Sequence, residues 1–209
     1  MKINPFKKII ILCLFASFSI SCVSEDDYVI PTVLDYAFNE SFSQAAVGSS
    51  PSIELPIALN GWVNHNATAT RLWSGKSFSG NVYAEFSSFF SAAGTNDEAW
   101  LITPGIDLSA ITTPVFSFTS KTRFANGAPL KILVSTNYDG TIPGIATATW
   151  TEVSATFPTQ NDVFISSGNI DLTAFKTANT RIAFKYTGSK TTGGITTTMQ
   201  IDNVKVLKN

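Results

Sequence analysis

Arg181-Ile182-Ala183-Phe184-Lys185-Tyr186-Thr187 alternates strictly, with Ile182, Phe184 and Tyr186 on one side of an extended chain and Arg181, Ala183 and Lys185 on the other. Successive side chains of a strand point to opposite faces, so this stretch predicts a strand with one buried and one wet face. Working outward, the same two-residue period returns in Val115 to Ser120, Leu130 to Ser135 and Met199 to Leu207. Each is bounded by Gly, Pro, Asn, Asp or Thr clusters. Turn signals stand at Asn126-Gly127, Asp139-Gly140, Ser167-Gly168-Asn169 and Gly193-Gly194. No stretch beyond Tyr36 sustains an apolar period of about 3.6 residues, and strands spaced this way without helices favour two packed antiparallel sheets. The predicted fold is an all-β sandwich over residues 36–209, whose 16 Phe and 4 Trp supply ample apolar surface to bury.

The N-terminus carries a different signal. Lys2, Lys7 and Lys8 precede the apolar run Ile9 to Ser17, the charged and apolar regions of a secretory signal over residues 1–21. The run is too short to span a membrane, which takes about 20 apolar residues. Cys13 leaves with the signal, so Cys22 is the single remaining thiol and no internal disulfide can form. Ser19-Ile20-Ser21-Cys22 resembles a bacterial lipobox, departing from it at Ser19, where that motif usually has Leu. The resemblance implies acylation of Cys22. Ser24, Glu25, Asp26 and Asp27 resemble the acidic export signal of Bacteroidetes lipoproteins displayed on the outer face of the outer membrane. Residues 22–35 then read as a flexible acidic tether between that membrane and the domain.

The whole chain has 14 Lys plus Arg against 15 Asp plus Glu, and loss of the signal removes three of the lysines. The remaining chain is acidic and has no basic stripe, which argues against a nucleic-acid partner.

Four motifs recur in a recognisable order. They are Trp100 to Ser109 (Trp-Leu-Ile-Thr-Pro-Gly-Ile-Asp-Leu-Ser), Ser135 to Gly140 (Ser-Thr-Asn-Tyr-Asp-Gly), Ser167 to Leu172 (Ser-Gly-Asn-Ile-Asp-Leu) and Ile201 to Val206 (Ile-Asp-Asn-Val-Lys-Val). Together they resemble the choice-of-anchor J or cleaved-adhesin domains of Bacteroidetes surface proteins over about Tyr36 to Lys208. The resemblance implies a jelly-roll sandwich akin to MAM and carbohydrate-binding modules. It does not fix a ligand, because function lives in sites and not in folds.

Catalytic inventory is thin. His65 is the single histidine, in the polar run Asn64-His65-Asn66, and reads as a solvated loop residue. No Gly-Xaa-Ser-Xaa-Gly or His-Glu-Xaa-Xaa-His arrangement occurs, which leaves a paired-carboxylate glycan hydrolase as the one enzymatic alternative. Asp107-Leu108-Ser109 and Asp171-Leu172-Thr173 read as turns that start strands. Trp100 and Trp150 read as packed residues. Trp62, Trp73 and Tyr83, with Phe86, lie in an Asn-, Ser- and Gly-rich stretch, and their rings are the candidates for a glycan-stacking platform.

The remaining anomaly is one of parity. Glu40 shares a face with Phe38 and Phe42, and Asp202 shares one with Val204 and Val206, so each carboxylate needs a partner. A single structural calcium ion between the first and last strands is one solution, and the family resemblance implies it; capping of strand ends, or pairing with Arg71 or Arg181, is the other. The function expected is a non-catalytic, surface-displayed binding or adhesion module for a glycan or a protein. An accessory lipoprotein of an outer-membrane nutrient-uptake complex is the alternative.

Overall fold

The computed structural model describes residues 34–208 apart from residue 51. Among these, thirteen strands form two sheets whose strand pairs are all antiparallel. Sheet A contains β1 (Tyr36–Glu40), β2 (Leu55–Pro56), β4 (Ser74–Phe78), β5 (Asn81–Phe86), β7 (Val115–Arg123), β10 (Ile165–Ser166), β11 (Ile170–Asp171) and β13 (Thr198–Leu207). Sheet B runs in the order β3 (Val63–Asn66), β6 (Asn96–Ile102), β12 (Arg181–Ser189), β8 (Leu130–Ser135) and β9 (Thr151–Val153). The four strands read from alternation are therefore β7, β8, β12 and β13, the central members of both sheets.

Alternation becomes packing between the sheets. Phe116 and Phe118 of β7 stack with centroids 5.5 Å apart, and Phe118 meets Phe184 of β12 edge-on at 5.2 Å. At the far end of the core Tyr186 packs on Phe86 at 4.7 Å. Its buried hydroxyl donates to Thr197 O (2.8 Å) and accepts from Ser88 N–H (3.3 Å), which satisfies the polar end of an otherwise apolar ring.

Three local expectations change. The outer face of β12 is not simply wet. Ala183 is buried there with Trp100, Ile102, Leu133, Tyr138 and Ile145, because the β8–β9 connection, with its single helical turn α1 (Gly144–Thr147), folds back over sheet B. Trp150 closes this second cluster, lying 5.3 Å from both Trp100 and Tyr138 and donating from Nε1 to Ile145 O (3.0 Å). His65 lies in β3, paired with Trp100, and not in a loop. Finally, Asn126-Gly127 does not make the tight turn expected of it, which would require positive φ at both residues. Phe124 takes the positive φ instead (51°).

Asp107 and Asp171 do serve their turns. Each accepts from the backbone N–H and the hydroxyl two residues on, Ser109 and Thr173 respectively, and these bonds hold both carboxyls below their ordinary pKa.

Candidate ligand-binding groove

Sheet B is covered on its outer side, and the outer face of sheet A carries a polar row that is itself largely buried. Phe116 and Phe118 turn inward, which puts Thr119, Lys121 and Arg123 of β7 outward. Register carries this face across the sheet. Lys121 pairs with Gln200 of β13, Gln200 with Glu85 of β5, and Glu85 with Ser74 of β4, so one polar row crosses four strands.

Around this row lies a groove of about 460 Å³. Glu85, Lys76, Arg123 and Thr198 contribute polar groups, Tyr83 contributes a ring, and the segment 47–50 closes one side. Three phenylalanines line the groove and remain exposed: Phe78 (71%), Phe90 (59%) and Phe124 (73%). Each stands where the backbone leaves a strand or makes a turn: Phe78 ends β4, Phe90 ends the 3₁₀ turn Ser88–Phe90, and Phe124 follows β7. Arg71 lies over Phe90 (5.1 Å) and Arg123 over Phe124 (5.3 Å). A second hollow of about 480 Å³, lined by Tyr36, Asp107, Ile111 and Lys208, has no comparable aromatic rim.

The floor is electrostatically ordered. Gln200, fully buried, donates from Nε2 to Glu85 Oε2 (2.6 Å). Lys121 lies over Phe164 (4.8 Å) and Tyr83 (5.5 Å), and burial, followed by the nearby Arg123 charge, holds its ammonium below the ordinary pKa. Burial, then the Glu85 charge, raises the Tyr83 phenol. Arg123 pairs with Asp162 (2.7 Å), and Arg71 pairs with Glu54, which Lys76 approaches at 3.7 Å.

Of the rings expected to form a platform, Tyr83 lines the groove, although its ring is largely covered. Trp73 is 0% exposed, packed against Phe86 (5.7 Å) and Tyr186 (6.4 Å), and offers no face to a ligand. Phe86 is likewise interior. Trp62 packs at the other side of the core against Phe38 (5.9 Å) and Phe42 (5.3 Å). The structure therefore does not bring Trp62 and Trp73 to Tyr83. The rim residues were missed because Phe reads as core. The signal that could have found them is their setting in the turn-rich runs Ser77-Phe78-Ser79-Gly80, Ser87-Ser88-Phe89-Phe90-Ser91 and Phe124-Ala125-Asn126-Gly127.

The parity argument for Glu40 and Asp202 also changes. A bulge in β13 between Asp202 and Lys205, with Asn203 at φ 51°, shifts the register by one residue. Asp202 pairs with Thr119 and so faces outward, whereas Glu40 pairs with Val204, an inward core residue. Each carboxylate meets N–H donors. Phe42 N–H donates to Glu40 Oε1 (2.6 Å), Asn203 N–H to Asp202 Oδ1 (2.6 Å), and Asn81 Nδ2 to Asp202 Oδ2 (2.8 Å). Both carboxylates thus have N–H donors within the fold, and the two do not share a face. Among the described residues no group of three or more His, Cys, Asp or Glu side chains is placed to hold a metal. Arg71 and Arg181 serve elsewhere, Arg71 with Glu54 and Arg181 donating from one guanidinium nitrogen to Thr103 O (3.2 Å). Cys22, Ser24, Glu25, Asp26 and Asp27 lie outside the described residues.

Comparison with known proteins bears on fold and family. The family model described as "Domain of unknown function (DUF5017)" matches residues 63–208. None of the curated proteins matches the chain. Among solved structures, the K1 and K3 cleaved adhesin domains of Lys-gingipain from Porphyromonas gingivalis W83 each superpose with a TM-score of 0.51. K1 is 16% identical, covering 82% of this chain and 98% of that domain; K3 is 15% identical, covering 83% and 99%. The CBM22-1 xylan-binding domain of Paenibacillus barcinonensis Xyn10C is 9% identical at a TM-score of 0.47, covering 85% and 97%. At these identities the likeness is one of fold.

Proposed function

The chain belongs to the DUF5017 family, and we propose that its sandwich is a non-catalytic binding module that takes a glycan chain in the groove of sheet A. The observation that carries this reading is the combination of three exposed phenylalanines with a floor of fixed polar groups. A sugar ring has apolar C–H faces that stack on aromatic rings and a hydroxyl rim that needs donors and acceptors. Among the described residues Glu85 is the one carboxylate lining the groove, whereas glycoside hydrolysis by the common routes takes two. This supports binding without turnover.

The anchor reading completes the proposal. Acylation at Cys22 and the acidic run Ser24 to Asp27 would tether the domain to the outer membrane, facing the exterior. Leu207, at the end of β13 that pairs with Tyr36, and Thr198, in the groove, stand nine residues apart, about 30 Å along an extended strand. A chain entering at Leu34 therefore has its groove toward the opposite end of the strand. Phe89 favours a second reading, a protein partner such as a component of a nutrient-uptake complex. It is exposed beside Phe90, 5.1 Å away, and extends the apolar surface beyond the groove.

A glycan array probed with the parent and with Phe78→Ala, Phe90→Ala and Phe124→Ala tests the proposal. Reproducible binding lost in these variants but kept in Trp62→Ala is the expected result. Binding that ignores all three rim substitutions would refute it, and hydrolysis of any bound glycan would refute the non-catalytic part.

A further inference from the structure

Resting on that reading, we propose that Glu85, held in place by Gln200, is the specificity-determining acceptor of the groove and selects neutral, hydroxyl-rich sugar chains over chains carrying carboxylates. The cations near the groove are already answered. Arg123 pairs with Asp162, and Lys76 lies near Glu54 beside the Arg71 pair. Lys121, opposite Gln200 in the same row, sits over the rings of Phe164 and Tyr83. Glu85 is different, because it enters no ion pair among the described residues. One of its oxygens, Oε2, accepts from Gln200 Nε2, and Oε1 meets no donor among them. A lining carboxylate with an unfilled oxygen asks its occupant for O–H donors, and it repels a second carboxylate.

Gln200 supplies the second observation. Its side chain is 0% exposed, and its Oε1 is buried with no hydrogen-bond partner. An orphaned buried amide oxygen is a liability that a folded protein ordinarily avoids. Turning the amide round would set that oxygen against the Glu85 carboxylate. The arrangement keeps the donor on Glu85 and leaves the acceptor unsatisfied, which fixes the orientation of Glu85 and makes Gln200 a positioning residue. The unpartnered Ser74 hydroxyl, buried beside Glu85 at the end of the same row, adds a further polar group without a use in the fold.

Titration calorimetry with mannohexaose, xylohexaose, cellohexaose and hexagalacturonate tests the inference. The parent should bind at least one neutral hexaose, and hexagalacturonate at least about tenfold more weakly. Losing one charge-assisted hydrogen bond corresponds to about 10- to 100-fold in affinity, so Glu85→Gln should weaken neutral binding by that factor and narrow the gap to hexagalacturonate. Gln200→Met, which leaves Glu85 without its donor, should move the same ratio in the same direction by less, a change that a purely structural role would not produce. Should Glu85→Gln not fold, Glu85→Asp keeps the charge with a shorter reach. It should bind more weakly while retaining the neutral preference, and loss of that preference in Glu85→Asp would overturn the inference. Neutral binding within about twofold of the parent in Glu85→Gln, together with its loss in Phe124→Ala, overturns the role of Glu85 and leaves the groove standing. A parent that prefers hexagalacturonate also overturns it, and a parent that binds none of the neutral hexaoses removes the groove reading as well.

Discussion

Asn126→Ala should destabilise the domain out of proportion to the size or exposure of the residue. The Asn126 Oδ1 accepts from Thr196 N–H (2.9 Å), Thr197 N–H (3.0 Å) and Thr197 Oγ1 (3.2 Å), while Nδ2 donates to Gly194 O (3.0 Å). One side chain thus ties the β7–β8 connection, which carries Phe124, to the segment that enters β13 at Thr198. Truncation leaves two backbone N–H groups without a partner, and one of them belongs to Thr197, which is fully buried. The buried orphaned donor costs about 1–3 kcal/mol, and the further backbone bond, from Thr196 N–H, about 0.5–1.5, so these two together come to about 1.5–4.5 kcal/mol. For a domain of this size that lowers the melting temperature by roughly 3–18 °C, at about 2–4 °C per kcal/mol. Asn126→Asp keeps the acceptor and loses only the bond to Gly194, and should cost much less. Chemical denaturation monitored by Trp fluorescence gives the free energies directly. A loss below about 0.5 kcal/mol in Asn126→Ala would show that water or a relaxed loop satisfies those amides, and the staple argument would fail.

Three further outcomes follow from other sites. Burial raises the Asp202 carboxyl above its ordinary pKa, so its ionised form is the penalised one. Stability gained from Asp202 therefore grows as pH falls through the folded-state pKa, and Asp202→Asn should fare better relative to the parent at pH 7 than at pH 4; the reverse order would refute the burial argument. Calcium is tested by melting the parent in EGTA. Since Glu40 and Asp202 face opposite sides of the sheet and take N–H donors, the curve should not move, whereas a drop reversed by added calcium, and absent in Glu40→Gln, would restore the shared ion. For the anchor, Cys22→Ala should abolish labelling by an alkyne fatty acid and release the protein from membranes. Replacing Glu25, Asp26 and Asp27 by Ala should keep the label but lower accessibility to external protease.

Much of the sandwich was legible because alternation is a direct imprint of burial. β7 and β12 keep their large buried apolar residues in parity, β13 does so on either side of its bulge, and β8 adds Leu133 on its second face; in each of them one face must meet the other sheet. Some of the strands that escaped are short, whereas β5 and β6 have six and seven residues and lie inside their sheets. β2, β10 and β11 have two residues each, too few for a period to show, and they are held by their neighbours' hydrogen bonds. The second cluster over sheet B was hidden for another reason. Trp150 and Tyr138 are drawn onto Ala183 and Trp100 by a loop whose path depends on contacts distant in sequence, so no local pattern announces it.

The site was less legible, and Asp202 shows why in a single residue. Parity places it with Val204 and Val206, and parity is sound only while the strand stays regular. Asn203 adopts positive φ, which Asn tolerates better than most residues, and the extra residue it inserts turns Asp202 to the opposite face. The bulge leaves Asp202 on the outer face of sheet A, the face that also carries Gln200, Glu85 and Tyr83, all of them largely buried there. Binding surfaces on sandwiches need such departures, since a perfectly regular strand commits its apolar half to the core and its other half to solvent. The groove's rim arises where that rule is broken, at one strand end and two places outside regular strand that hold Phe78, Phe90 and Phe124 in water, and residues that break a local rule are the ones a sequence period cannot announce.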